Sequence, residues 1–324
     1  MITATSPAQR QATDDGTVPP LERIRDRVWA VGTAMPGEQP RLKYTLTYLL
    51  ADDDGRVHVV DPGWDTDANL ATLRAALHDV GGPVGSIVVT HLHPDHLAMA
   101  PRLRQETGAP IVLHELEAQA VAELADFRDV DPAAWGVPAD RWDEVRALRH
   151  ARGAYRRVTP DVVVRGTVDR LNHPGLALEA LHTPGHTVGH ICLRLPAEKL
   201  LLTGDHVLPA IYPGLGLGGR ATVNPIAAYL ESLDRVAGFD DHEILPGHHY
   251  RFTGLAERIE RTAAHHRRRS DEVAAALAAD PDATVYRVAA ALTWSGGWER
   301  MRGFLLYSAL AQTAMHIDLL RTRS

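Results

Sequence analysis

The chain has 324 residues, 45% of them hydrophobic, enough to bury the core of one large domain with a small appendage. Its formal net charge of -7 gives no general attraction to nucleic acid, and no run approaches the ~18 apolar residues of a membrane span. The single cysteine, Cys192, excludes an internal disulfide and fits a reducing, cytoplasmic setting; in the apolar run His190-Ile191-Cys192-Leu193 it is expected to be a buried core thiol.

Residues 1–20 are rich in Ser, Thr, Gln, Asp and Pro without an apolar stretch, which predicts a disordered tail and not a signal peptide. Strand-like runs then follow at Val28–Val31, Thr45–Leu50 and Val57–Val60, the last ending in Asp61-Pro62-Gly63. Leu70, Leu73, Ala76 and Leu77 stand at helical spacing, a strand runs from Ser86 into Thr90, a helix is expected over Leu97–Glu106, and Ile111–Leu113 is the next strand. Strands interleaved with helices predict an α/β fold. Residues 115–160 break the rhythm with helical, charged and aromatic content, including Trp135 and Trp142, and read as an insertion. Four short runs, Val162–Val164, Leu176–Leu181, His190–Leu195 and Leu200–Thr203, predict that the second half opens as a meander. A helix over Pro225–Val236 and a strand over Glu243–Leu245 close it, and residues 255–324 read as a mostly helical tail.

The stretch Thr90-His91-Leu92-His93-Pro94-Asp95-His96 sets three histidines and an aspartate at the end of a buried strand. His91 and His93, at i and i+2, can face one ion where the backbone turns. Asp95 and His96, past the Pro94 turn, can face a second beside it. Three further candidates each end a strand-like run next to Gly or Pro: His186 in TPGH, Asp205 in LTGD and His248 in LPGH. Glycine there lets the backbone approach closely and turn a side chain back over the strand edge. The other reading is a polar loop, with Asp95 capping the helix after it and His248 an ordinary loop histidine.

The ordered set resembles the metallo-β-lactamase superfamily, whose HxHxDH motif appears as His91-Leu92-His93-Pro94-Asp95-His96, with His186, Asp205 and His248 following in order. The resemblance spans residues 24–254 and implies an αββα sandwich over 21–254, interrupted by the insertion, with a small helical extension after it. It implies one metal site of His91, His93 and His186 and a second of Asp95, His96 and His248, with Asp205 bridging. Asp61 in VVDPG matches a position that supports a ligand without touching metal. The implied cofactor is a pair of divalent ions, zinc by the imidazole-rich set, with iron or manganese compatible with the carboxylates. Asp95 and Asp205 then count as catalytic as well as ligating.

Two adjacent ions can acidify a shared water and polarise a carbonyl or phosphoryl oxygen, so hydrolysis by metal-bound hydroxide is the expected chemistry. Asp205 stands where many zinc β-lactamases place Cys, His96 fills a slot they leave to another residue type, and His93 stands where redox flavodiiron proteins typically carry Glu. The set instead looks like that of glyoxalase-II-type thioesterases, lactonases and RNA-processing nucleases. A small-molecule thioester or ester of acyl-CoA or acyl-carrier type is the leading substrate. A single-stranded-RNA endonuclease and a lactonase are the alternatives, and a non-catalytic binding protein is a third class.

The segment after 254 is similar to the winged-helix-like extension of lactamase-beta-2-like endoribonucleases. From Ala256 to Ser324 it carries 10 Arg against 8 acidic residues, too little for many phosphate contacts, so packing or a homodimer contact is its expected use. Tyr212, seven residues past Asp205, is read either as a phenol assisting a polarised carbonyl or as a packing aromatic. Arg146, Arg149, Arg152, Arg156, Arg157, Arg165 and Arg170 face only Asp161 and Asp169 between residues 146 and 170, a local net of +5 read either as an anion dock or as a solvated face.

Overall fold

The computed structural model describes residues 1–37, 42–123, 131–146 and 157–322. Two seven-stranded sheets face each other. The first runs, in spatial order, β2 (Glu22–Arg25), β3 (Val28–Ala34), β4 (Tyr44–Ala51), β5 (Val57–Val60), β6 (Val84–Val88), β7 (Ile111–His114) and β8 (Val162–Val164). It is antiparallel as far as β5 and parallel from β5 onward. The second runs β1 (Thr3–Ala4), β14 (Phe252–Thr253), β13 (Glu243–Pro246), β12 (Leu200–Gly204), β11 (Ile191–Leu195), β10 (Leu176–His182) and β9 (Val168–His173). Its one parallel pair is β12 with β13.

Alternation along the strands builds the layers, because successive side chains point to opposite faces. Tyr44, Leu46, Tyr48 and Leu50 of β4 meet Ile191, Leu193 and Leu195 of β11 and Leu200 and Leu202 of β12 between the sheets. The alternate positions Leu49, Val59, Ile87 and Val89 face outward onto α2 (Asp67–Val80), α4 (Ala100–Thr107) and α5 (Glu115–Glu123). On the other side Cys192, Leu201 and Ile244 pack with α7 (Pro225–Val236) and α8 (Leu255–Ala279). The layers are helix, sheet, sheet, helix, as the resemblance implied. Cys192 is fully buried, and burial pushes its thiol up to about 12.

Several sequence expectations are corrected. Residues 1–20 are not a disordered tail. Strand β1 pairs with β14, and α1 (Pro7–Asp15) has a complete cap: Ser6 Oγ accepts the N–H of Gln9 at 3.1 Å, Pro7 opens the helix, and Gly16 closes it at φ 69°. Polar side chains concealed this docking because they bond inward. Gln9 Oε1 accepts from Arg251 N at 3.0 Å, and Arg251 lies between Glu22, 2.6 Å away, and Glu243. The helix expected at Leu97–Glu106 is two: α3 (Pro94–Leu97), then α4. Val162–Val164 pairs in parallel with β7 of the first sheet, so the meander starts instead at β9, whose polar sequence VDRLNH gave no strand signal.

The extension carries α8, α9 (Val285–Ala291) and α10 (Gly303–Arg321), the helical tail that the sequence predicts, and among the described residues no strand follows β14. Trp294 and Trp298, between α9 and α10, pack on the same small core as Trp135 and Trp142 of the insertion, a core to which the insertion gives Val137 and Val145 and the extension Ala289, Leu306 and Leu310. Replacing Ser6 with Ala should remove about 1 kcal/mol of stability through the lost cap, measured by urea denaturation. An unchanged midpoint would mean that the N-terminal segment does not fold with the rest.

Candidate metal centre

The parallel pairs place the chemistry. Asp61 follows β5, the segment His91–His96 follows β6, Asp205 follows β12 and His248 follows β13, so each pair delivers its residues at one common edge. His186 arrives on the turn between β10 and β11. The sheets are tied together here: Leu46 N donates to Gly247 O at 2.7 Å and Ile191 N to Thr90 O at 3.0 Å. The glycine before His248 has a physical reason, since a Cβ on Gly247 would stand 2.7 Å from Asp205 Oδ1.

All seven sequence-selected ligands come together there. His91, His93, His186 and Asp205 form one group and Asp95, His96 and His248 another, with the ligand atoms of each within 4.8 Å of one another. Asp205 faces both groups, its Oδ2 lying 3.6 Å from His186 Nε2 and its Oδ1 3.3 Å from His248 Nε2 and 3.6 Å from His96 Nε2. Asp95 Oδ2 lies 3.2 Å from His248 Nε2.

Which ring nitrogen offers a lone pair follows from the partner of the other one. Carbonyl oxygens only accept. His248 Nδ1 therefore donates to Tyr44 O at 2.8 Å, His186 Nδ1 to Gly214 O at 2.6 Å and His93 Nε2 to Leu217 O at 3.0 Å. Asp61 fixes the other two. Its Oδ2 accepts His96 Nδ1 at 2.8 Å and the Thr90 hydroxyl at 2.7 Å, which leaves Thr90 Oγ1 to accept from His91 Nδ1 at 3.0 Å. Five imidazoles thus turn lone pairs toward one place. His93 Nδ1 stands 3.0 Å from both His91 Nε2 and His186 Nε2, acceptor against acceptor. His96 Nε2, His248 Nε2 and Asp205 Oδ1 are buried with no hydrogen-bond partner. Such a set is costly by itself and fits divalent cations: imidazole nitrogens suit zinc, and the carboxylates also suit iron or manganese.

The electrostatics divide the groups. Burial lowers His91, His93 and His186, the last to about 4, so they are neutral and ready to ligate. Burial opposes the charged form of His96 and His248 as well, yet Asp95 and Asp205 outweigh it, helped by Asp61 at His96, and raise both rings. Asp95, disfavoured as a carboxylate by burial, is nonetheless lowered to about 2 by His96 and His248.

Sequence reasoning missed part of the support. Gly214 and Leu217, whose carbonyls orient His186 and His93, lie in one glycine-rich loop, and the run PGLGLGG from Pro213 to Gly219 was the available signal. His190 Nε2 accepts the N–H of Asp205 at 3.2 Å. Tyr212 is not joined to the ligands by any contact among the described residues. Its ring, on the surface, stacks on His265 at 4.0 Å with Arg258 4.7 Å from its centroid. Of the insertion arginines, Arg165 lies 3.5 Å from Glu115, Arg170 3.7 Å from Glu179, and Arg146 sits over Trp142. Arg157 is exposed, and Arg149, Arg152 and Arg156 lie outside the described residues.

Fold and site together define a four-layer α/β sandwich with a histidine- and aspartate-lined centre able to bind metal ions. The chain belongs to the Metallo-beta-lactamase superfamily, whose profile matches residues 40–248, and whose members are metal-dependent hydrolases. A metallo-beta-lactamase family protein from Thermus thermophilus superposes with a TM-score of 0.73 at 27% identity, over 93% of this chain and 95% of that one. A hydroxyacylglutathione hydrolase from a Polaromonas species is 30% identical over 68% of this chain and 69% of its own length. An atrochrysone carboxyl ACP thioesterase from Aspergillus novofumigatus is 23% identical over 83% of this chain and 68% of its own. Among the described residues no helix is long and apolar enough to cross a membrane.

Two predictions follow from the two-sided position of Asp205 and the divided electrostatics. Asp205→Ala should weaken binding at both groups, whereas His248→Ala should empty only the second, as read by elemental analysis. Protons compete with metal for the raised rings of His96 and His248, so metal affinity should fall as pH falls, and the ion of the Asp95–His96–His248 group should leave first. Chelator competition at stepped pH checks this, and loss of the other ion first would contradict it.

Proposed function

We propose that the protein is a dinuclear metal-dependent hydrolase of a small-molecule thioester or ester, of the acyl-CoA or acyl-carrier type. The observation that carries it is Asp205, whose two oxygens face two separate groups of donors inside one buried cluster. Two divalent ions held there would supply a Lewis-acid pair that acidifies water and polarises a carbonyl; zinc suits the five imidazoles best.

The chain's own residues complete the chemistry. Asp95, whose Oδ2 lies 3.2 Å from His248 Nε2 in the second group of donors, is the carboxylate placed to orient a water and take its proton. Asp61, Thr90 and the carbonyls of Tyr44, Gly214 and Leu217 hold the rings of His96, His91, His248, His186 and His93 in their orientations, so they need no rearrangement during reaction. With its cluster-side nitrogen on a metal, each ring's remaining N–H would stay tied to its outward acceptor, so no imidazole is placed to protonate a leaving group. A thiol, with a pKa of about 8.5, departs as thiolate without a proton, whereas an amine or alkoxide needs protonation. That favours thioesters. The names of two relatives, an ACP thioesterase and a hydroxyacylglutathione hydrolase, describe an acyl-carrier conjugate and an acylglutathione as their substrates.

A metal-loaded sample assayed on acyl thioesters, lactones, phosphodiesters and labelled single-stranded RNA tests the assignment. Thioesters should be cleaved with the highest kcat/KM, with activity lost on chelation and restored by divalent metal. Preferential RNA cleavage that falls steeply with salt would overturn it in favour of a nuclease.

A further inference from the structure

Glu117, in the first turn of α5, is wholly buried. Its Oε2 accepts the N–H of Leu92 at 2.7 Å and its Oε1 accepts the N–H of Gly189 at 2.6 Å. Burial pushes its carboxyl up to about 7, opposed by the Thr187 hydroxyl, then by the Gly189 and Leu92 amides, and by no cation. A carboxylate buried without a positive partner is expensive, and an apolar side chain of similar size would serve packing alone at lower cost.

The identity of the two donors is informative. Leu92 stands between the ligands His91 and His93, on the loop leaving the first sheet. Gly189 stands three residues after the ligand His186, on the turn between β10 and β11 of the second sheet. Contact with α5 is close: a Cβ on Gly189 would meet Glu117 N at 2.6 Å. One carboxylate on α5 therefore spans the two loops that supply all three histidines of the first group.

We propose that Glu117 is a positioning residue for this group: a carboxylate clamp on the amides of Leu92 and Gly189 that fixes the separation of the His91–His93 loop from the His186 loop. It rests on the metal reading of the cluster and not on the choice of substrate. Both oxygens must accept, so Glu117→Gln turns an NH2 against one amide and can hold only one loop. Glu117→Asp keeps the charge but is one methylene too short to hold both.

The test measures binding of zinc by competition with a chromophoric chelator, the visible spectrum of the cobalt-substituted protein, and unfolding of the metal-free protein. Each variant is compared with wild type, and again in a His248→Ala background where the first group is isolated. Glu117→Gln should weaken first-group binding roughly 10–100-fold and shift the cobalt spectrum, and Glu117→Asp should follow Gln and not wild type. Affinity at the Asp95–His96–His248 group should stay unchanged. If the Gln variant does not fold, the Asp variant carries the same comparison. Wild-type affinity and spectrum in a folded variant would overturn the clamp, and so would an equal loss at both groups, the mark of general loosening. Wild-type protein that bound no divalent metal would instead defeat the metal reading itself.

Discussion

Seven acceptor side chains converge at one edge of the sandwich, and the rest of the structure is arranged around holding them there. Acceptor nitrogens 3.0 Å apart and two carboxylates beside them repel one another in a poorly solvated place. A bound divalent cation would relieve that repulsion, and a rigid frame keeps the donors from swinging apart. The frame is visible in its parts. Two parallel strand pairs deliver the ligands to one edge, glycines let the turns touch, and a backbone carbonyl or Asp61 holds the outward hydrogen of each ring except His91, which Thr90 holds.

The convergence of the seven donor side chains was legible in the sequence because metal chemistry restricts residue type and strand ends restrict spacing. His91, His93, Asp95, His96, His186, Asp205 and His248 all stand where that reasoning put them, and Asp61 stands beside them bonded to His96. The two-layer sheet core was legible as well, since alternation in β4, β11 and β12 encodes which side chains face inward. What supports the ligands was not. The acceptors on His93, His186 and His248 are backbone carbonyls, which leave no mark in residue identity, and Glu117 lies within a helix whose pattern reads as any amphipathic surface segment.

The N-terminal segment was misread for a related reason. Polar composition predicts disorder only when polar groups face water, and here Ser6, Gln9 and Glu22 bond to one another and to Arg251, just ahead of Gly254 at the start of α8. The tryptophans between α9 and α10 pack on a core shared with the insertion. Insertion and extension, far apart in sequence, share a small core in which Tyr286 N donates to Trp135 O at 2.9 Å and Arg141 reaches the hydroxyl of Tyr286 at 3.2 Å. The extension accordingly braces the domain: Asn224, which caps α7, donates to Met315 O of α10 at 2.8 Å, and Arg258 of α8 holds the carbonyls of Leu208 and Ile211 in the loop that follows Asp205.

The central claim is that the cluster is built for two neighbouring ions shared through Asp205. Anomalous X-ray scattering from crystals grown with zinc locates metal independently of activity. The account predicts two peaks, one among His91, His93 and His186 and one among Asp95, His96 and His248, with the Asp205 carboxylate between them. A single peak, or metal bound elsewhere with these side chains turned away from it, would contradict the account.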